Sequence, residues 1–280
     1  MEERTGIRPP GVAGMFYPSN GKELSALIGD ISRDLNYRTS SEPVPGTITG
    51  GIVPHAGIEY CGRQAVHFFE TLTGSKLIPD TVIIIHPNHY GAGPRLSVDD
   101  HRYWEVPNGM IKTDIDFAEE ISLPFSASAQ KKEHSAEVVV PFIIYYMPET
   151  VQLVSLNMLD QRHLAAKEVA GRIFEASQRL NRRVLLIASS DFSHFVSRDE
   201  ATRMDDLVLD QITARNAGGV YREITENDIS VCGYGPIMAL MEYSSMIDPE
   251  YQVKILSRGD SGSAGKTSSV VSYISALFYM

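Results

Sequence analysis

Four clusters of chemistry-bearing side chains punctuate this sequence, each at the end of an apolar run or at the start of a helical pattern. Pro54-His55-Ala56-Gly57 follows the run at 47–53, and Pro87-Asn88-His89 follows the run at 81–85. Each sets an imidazole just past an expected strand, where a ring nitrogen can ligate a metal, exchange a proton or hold a turn by a hydrogen bond. Ser189-Ser190-Asp191-Phe192-Ser193-His194 follows the apolar Val184–Ala188. An aspartate three residues before a histidine suits ring orientation, proton transfer or metal ligation; the plainer alternative is a helix cap built by Ser189, Ser190 or Asp191. Val231-Cys232-Gly233-Tyr234-Gly235-Pro236 places a thiol in a glycine-flanked turn before a helix. A helix N-terminus lowers a thiol's pKa, so Cys232 is a candidate thiolate ligand or nucleophile as well as a small buried apolar residue. A fifth candidate, apart from these four clusters, is His134-Ser135-Ala136-Glu137, which follows Lys131-Lys132 and reads as a helix start. His134 and Glu137 would then share one face, as a general acid/base pair or as a capping arrangement.

The elements that must position these clusters alternate between short apolar runs and longer segments of helical spacing, the pattern of a layered α/β fold. Strands are expected at Thr47–Val53, Thr81–Ile85, Val151–Leu156, Arg183–Ala188, Tyr251–Leu256 and Ser268–Phe278, with Arg95–Val98 and Tyr103–Val106 forming a hairpin. Helices are expected at Cys61–Leu72, Asp114–Ile121 with Asp114 as N-cap, Ser135–Tyr146, His163–Leu180, Ala201–Arg215 and Pro236–Ile247. Pro236 fits a first helical turn, where the missing N–H costs nothing. Arg38–Gly46 reads as a loop and not a domain linker, because too little chain precedes it to fold alone. No internal repeat is visible, so residues 1–280 are expected to form one domain. Ligand sites in such folds lie beyond the carboxyl ends of the strands, where the clusters fall.

Composition narrows the function classes. The 280 residues are 43% hydrophobic and 21% charged, with a mean hydropathy of −0.12, which is globular composition. The 25 basic residues against 35 acidic give a formal net charge of −10, a balance that argues against nucleic acid or anionic lipid as a partner. The apolar runs are far too short to span a membrane. Met1-Glu2-Glu3-Arg4 has no secretion-signal character, and a cytoplasmic location is expected. Two cysteines, Cys61 and Cys232, exclude a disulfide framework, whereas several of the eight histidines sit at the ends of apolar runs.

Several motifs fail on inspection. Gly265-Lys266-Thr267 resembles the end of a phosphate-binding P-loop, but Asp260 stands where its first glycine belongs and a β-like run follows it. No dinucleotide fingerprint, nucleophile elbow or His-Glu-x-x-His helix occurs. His67, His101 and His163 read as helix-face or loop residues.

With these residues in hand, the chain resembles the Memo family, the mediator-of-cell-motility proteins. The resemblance rests on Ala13-Gly14-Met15-Phe16-Tyr17-Pro18, Pro54-His55-Ala56-Gly57 with Tyr60-Cys61-Gly62, Pro87-Asn88-His89, Glu133-His134-Ser135-x-Glu137, Ser189-Ser190-Asp191-Phe192-x-His194, Cys232-Gly233 before Pro236, and Val271-Ser272-Tyr273. It implies a single three-layer α/β/α domain around a mixed, mostly parallel sheet, as in the class III extradiol dioxygenases, with a non-haem metal site. Carried across by position, the ligands are His55, His89 and Cys232, with Asp191 and His194 in the same pocket. A thiol stands where the dioxygenases carry a carboxylate. The donor set therefore suits iron as first choice and copper or zinc as well. His86 occupies a position that is usually glycine in the family; its side chain either reaches the pocket as an extra ligand or points away.

The resemblance implies a metal-dependent, dioxygenase-like oxidoreductase. His194 would be its acid/base with its tautomer set by Asp191, and His134 and Glu137 would be substrate-contacting or supporting groups. A second reading, also taken from the family, is an adaptor that binds a phosphorylated peptide or small anion without catalysis. A third is a hydrolase using a Cys232 nucleophile or a zinc-bound water. Expected partners are a small molecule or peptide, and the radical-enzyme and companion proteins with which microbial family members are associated.

Overall fold

The computed structural model describes residues 6–34, 46–264 and 268–280. Residues 38–45 of the expected loop Arg38–Gly46, and Gly265-Lys266-Thr267, lie outside them. The first half runs β1 (Ile7–Arg8), α1 (Gly21–Arg33), β2 (Ile48–Val53), α2 (Ile58–Gly74), β3 (Thr81–Pro87), β4 (Leu96–Val98), β5 (Tyr103–Val106), β6 (Gly109–Lys112), α3 (Ile115–Glu120), α4 (Ala127–Gln130) and α5 (Val140–Tyr146). The second half runs β7 (Gln152–Met158), α6 (His163–Leu180), β8 (Val184–Ser189), β9 (His194–Val196), α7 (Arg198–Thr213), α8 (Ala217–Glu226), α9 (Tyr234–Ile247), β10 (Gln252–Asp260) and β11 (Val270–Tyr279).

The main sheet has the order β10-β11-β2-β8-β3-β7-β4, with β9 paired to β11. Its centre, β2-β8-β3-β7, is parallel, and the flanking strands β11, β10 and β4 join antiparallel. Side chains explain why the central strands are apolar throughout. Along β3, Ile83 and Ile85 enter one core with α6 and α9, whereas Val82 and Ile84 enter another with α2 and α5. A strand buried on both faces has no solvent side to alternate with, so it reads as a continuous apolar run. Each fully buried Ile or Phe in these layers contributes about 2 kcal/mol of apolar burial. The result is a three-layer α/β/α architecture around a mixed sheet. Among the described residues, no helix is long and apolar enough to cross a membrane.

Asp114 caps α3 by accepting from the Phe117 N–H at 3.1 Å, and α6 spans the expected residues, ended by Asn181 in the left-handed region at φ 50°. Two expectations need correction. Arg95–Val98 and Tyr103–Val106 do not form a hairpin with each other: β4 joins the main sheet beside β7, and β5 pairs instead with β6 across Pro107-Asn108. The buried Asp99 carboxylate accepts from Trp104 Nε1 at 2.6 Å and pairs with His101 Nδ1 at 2.9 Å, which turns the chain out of the main sheet into the small sheet β1-β5-β6. The helix expected at Ser135–Tyr146 begins only at Val140, with Pro141 in its first turn. Residues 135–139 form tight turns instead, closed by the Val139 N–H to the Ala136 carbonyl at 3.1 Å and the Val140 N–H to the Glu137 carbonyl at 3.2 Å, three residues back where an α-helix reaches four. Helices α1 and α8 fall outside the expected elements, although α1 carries a sequence signal: Asn20 caps it, and Leu24 and Ile28 are buried one turn apart.

Candidate metal centre

The parallel pairing sets the carboxyl ends of β2, β8 and β3 side by side, and the polar clusters leave the sheet at that edge. His55, just past β2, is buried. Its backbone N–H donates to Asp191 Oδ1 at 2.8 Å, and its Nδ1 lies 2.8 Å from Ser189 Oγ. The Ser189 hydroxyl donates its one proton to the Ser135 carbonyl at 2.6 Å, so Nδ1 of His55 is the donor of that pair and Nε2 keeps its lone pair. Cys232 Sγ stands 3.3 Å from that Nε2.

His89 is held from the opposite side. Its backbone N–H donates to Glu133 Oε2 at 2.7 Å and its Nδ1 to Oε1 at 2.8 Å, which leaves the lone pair of Nε2 free for a ligand. The same Oε1 accepts from the His134 and Ser135 N–H groups and from Ser135 Oγ at 2.8 Å. Burial alone would raise the Glu133 pKa, but the His89 hydrogen bond and the neighbouring imidazoles hold it well below the usual carboxylate range. The His134 ring stacks on His89 at 4.9 Å and rests on Phe16 at 4.6 Å. One nitrogen from each of His55, His89 and His134 lies within 4.8 Å of the others. Nδ1 of His134 is buried without a hydrogen-bond partner.

This donor set fits a metal. Burial, then the nearby His134 and His89, holds His55 well below the ordinary histidine range, and burial lowers His134 to about 4. Both rings are therefore neutral at pH 7, as metal ligands must be. Cys232 comes from the turn before α9. The Gly233 N–H donates to Ser190 Oγ at 2.9 Å, and a Cβ at position 233 would sit 2.4 Å from the Ser189 carbonyl oxygen. Only glycine permits that approach, which carries the thiol to His55.

The remaining expected residues divide. Asp191 is buried, and burial raises its carboxyl to about 6 against the pull of the His55 N–H. His194 donates from Nδ1 to the Ser230 carbonyl at 2.7 Å. That carbonyl, and not Asp191, sets its tautomer, which corrects the expected Asp191–His194 pairing and leaves Nε2 of His194 as an acceptor. Asp191, His194, His134 and Tyr273 line one cavity of about 390 Å³ at the mouth of the site. Glu137 is turned away from it: its carboxylate takes Arg8 Nη1 at 2.5 Å, Tyr17 Oη at 2.5 Å and the N–H groups of Gly11 and Val12. It fastens the N-terminal segment. His86 likewise points away from the ring cluster, between Ser135 Oγ at 2.9 Å and Ser155 Oγ at 3.0 Å.

Sequence reasoning gave no role to Glu133 or Asp205. Glu133 carries no separate signal beyond its place beside His134. Asp205 does: it lies on the α7 face of Ala201, Val208 and Leu209, and a charge on an apolar face needs partners. Its carboxylate takes Ser193 N, Ser193 Oγ and Ser272 Oγ, which tethers the loop that carries His194.

Fold and site together define a three-layer α/β protein with a histidine-rich metal-binding pocket candidate at the carboxyl edge of its parallel strands. Residues 8–277 match the family model described as Memo-like protein. A MEMO1 family protein of Desulfurococcus amylolyticus is 35% identical over 284 residues, covering 98% of this chain and 99% of that one. Another from Methanobrevibacter smithii is 36% identical, covering 97% and 99%. The chain belongs to the Memo-like family. Among solved structures, an uncharacterized protein of Escherichia coli K12 shares the fold with a TM-score of 0.56 at 12% identity, covering 82% of this chain and 99% of that one.

Proposed function

We propose that this protein is a non-haem metal protein with oxidoreductase chemistry of the dioxygenase-like kind, holding its ion between His55 and His89 with His134 and Cys232 as flanking donors. The observation that carries the reading is the convergence of three imidazoles whose ligand nitrogens lie within 4.8 Å of one another, two of them fixed through Nδ1 by Ser189 and Glu133. Three nitrogens and one sulfur suit iron, copper or zinc, and we take iron as the working ion. A bound redox ion would supply electron transfer and a Lewis-acidic centre with positions open to small ligands.

The chain's own groups supply the rest. A small molecule or short peptide enters the 390 Å³ cavity beside His134, Asp191 and His194. His194, with its Nδ1 proton committed to Ser230, takes a proton at Nε2 and returns it. Asp191 holds the His55 backbone in place.

Protein reconstituted anaerobically with iron(II) is expected to consume oxygen when a small chelating diol such as a catechol is added. His194→Ala is expected to keep the iron and lose the uptake. Absence of uptake with every such compound, together with micromolar binding of phosphotyrosine by metal-free protein, would replace this reading with the adaptor.

A further inference from the structure

His86 lies at the end of β3, fully buried, and its position in the hydrogen-bond network gives it a task. Gln130 Nε2 lies 3.2 Å and Ser155 Oγ 3.0 Å from His86 Nε2. Nδ1 lies 3.1 Å from the Pro87 carbonyl and 2.9 Å from Ser135 Oγ. A carbonyl only accepts, so Nδ1 carries the ring proton and Nε2 accepts from Gln130. Burial keeps this ring neutral, with its pKa lowered to about 4.

The Ser135 hydroxyl has one proton and two acceptors in reach, Glu133 Oε1 at 2.8 Å and the Pro87 carbonyl at 3.2 Å. The bond to the ionised carboxylate is the stronger. With His86 donating to its lone pair, Ser135 is committed to Glu133, and Glu133 Oε1 in turn receives Nδ1–H of His89.

We propose that His86 is a positioning residue for the metal centre, acting on His89 through the one-way chain His86 to Ser135 to Glu133. The chain keeps the Glu133 carboxylate oriented, which fixes the His89 ring with Nε2 free. Without the His86 donor, Ser135 can turn to Pro87, and the carboxylate that orients His89 loses its hydroxyl partner. Outer partners of metal-bound histidines typically tune affinity by 10- to 100-fold; His86 stands one link further out, so a loss of about three- to tenfold is expected.

The inference rests on the proposed metal site, and the test separates the two. Cobalt(II) is titrated into metal-free protein and followed by its visible ligand-field absorption, which reports both affinity and ligand geometry. His86→Leu is expected to weaken cobalt binding about three- to tenfold and to shift the band. His86→Gln, which restores a donor and an acceptor, is expected to recover both. Ser135→Ala breaks the chain at its next link and should weaken binding as much, with no further loss when combined with His86→Leu. Should His86→Leu fail to fold, His86→Asn is read in its place, because it stays polar beneath Gln130 but is too short to reach Ser135. Wild-type affinity and spectrum in the His86 variant, or additive losses in the double variant, would overturn the relay. Failure of the wild-type protein to bind cobalt at all would instead overturn the metal site.

Discussion

Cys232 Sγ lies 3.3 Å from Nε2 of His55, although 177 residues separate them in sequence. The contact joins the end of β2 to the turn before α9, and it brings the thiol to the nitrogen of the ring that carries the lone pair. In the metal-free protein the surroundings of this thiol disfavour the nucleophilic thiolate. Burial and then the negative charge of Asp191 push it well above the usual thiol range, and burial does the same to Cys61. Iodoacetamide at pH 7.5 is therefore expected to label both cysteines at least about tenfold more slowly than free cysteine, with urea releasing two reactive thiols. Mass spectrometry of the labelled protein reads the outcome; labelling of Cys232 faster than free cysteine would restore the hydrolase reading.

Glu133 and Glu137 are both buried and do different work. Glu137→Gln breaks a buried ion pair with Arg8 and is expected to cost about 3 kcal/mol of stability in urea unfolding. Because that carboxylate serves the N-terminal segment, metal content should stay within about twofold of wild type. Glu133→Gln is expected to weaken metal binding by about 10- to 100-fold. Equal metal loss in the two variants would contradict this division.

Acid should destabilise the metal-free protein in a window set by its buried imidazoles. The unfolded chain binds protons at histidine below pH ~6.5, whereas folded His86 resists until about 4. The unfolded state therefore holds more protons between these values, and stability present above pH ~6.5 is lost as pH falls toward 4, by up to about 3 kcal/mol from this ring. His134 and His55 act in the same sense. Asp191, raised to about 6, opposes them, because its folded form binds a proton first. Urea midpoints measured from pH 7.5 to 4.5 should fall, and His86→Gln should make the decline shallower. An identical slope in that variant would contradict the assignment.

Phe195 is 78% exposed and sits in the left-handed region at φ 59° beside His194. A bulky residue there is strained by about 1 kcal/mol. Phe195→Gly is expected to raise stability by roughly 0.5 kcal/mol, the gain being reduced by the greater freedom of glycine in the unfolded chain. Thermal unfolding checks this; destabilisation beyond about 1 kcal/mol would show that the ring has a packing role.

The central layers were legible because strands buried on both faces must be apolar along their whole length, as at Val82–Ile85 and Val184–Ala188. Histidines placed just past those runs had to reach the same sheet edge, which made His55 and His89 visible. What decided the rest was tertiary. Nothing local distinguishes Glu137, which anchors Arg8 and Tyr17, from Glu133, which orients His89. The start of α5 shifted because residues 136–140 close tight turns on carbonyls three residues back. The tautomer of His194 depends on the Ser230 carbonyl, 36 residues away, a contact with no trace in local sequence. Likewise β5 found β6 because Asp99 gathers His101 and Trp104 and turns the chain.

On the proposed function, His55 and His89 hold a metal ion. Elemental analysis of protein produced without a metal-chelating tag tests it directly, for the wild type and for His55→Ala, His89→Ala and His194→Ala. The expected result is about one equivalent of a transition metal in the wild type and in His194→Ala, and less than about a tenth of that in the other two. A wild type that stays metal-free after reconstitution, or undiminished metal in both His55→Ala and His89→Ala, would contradict it.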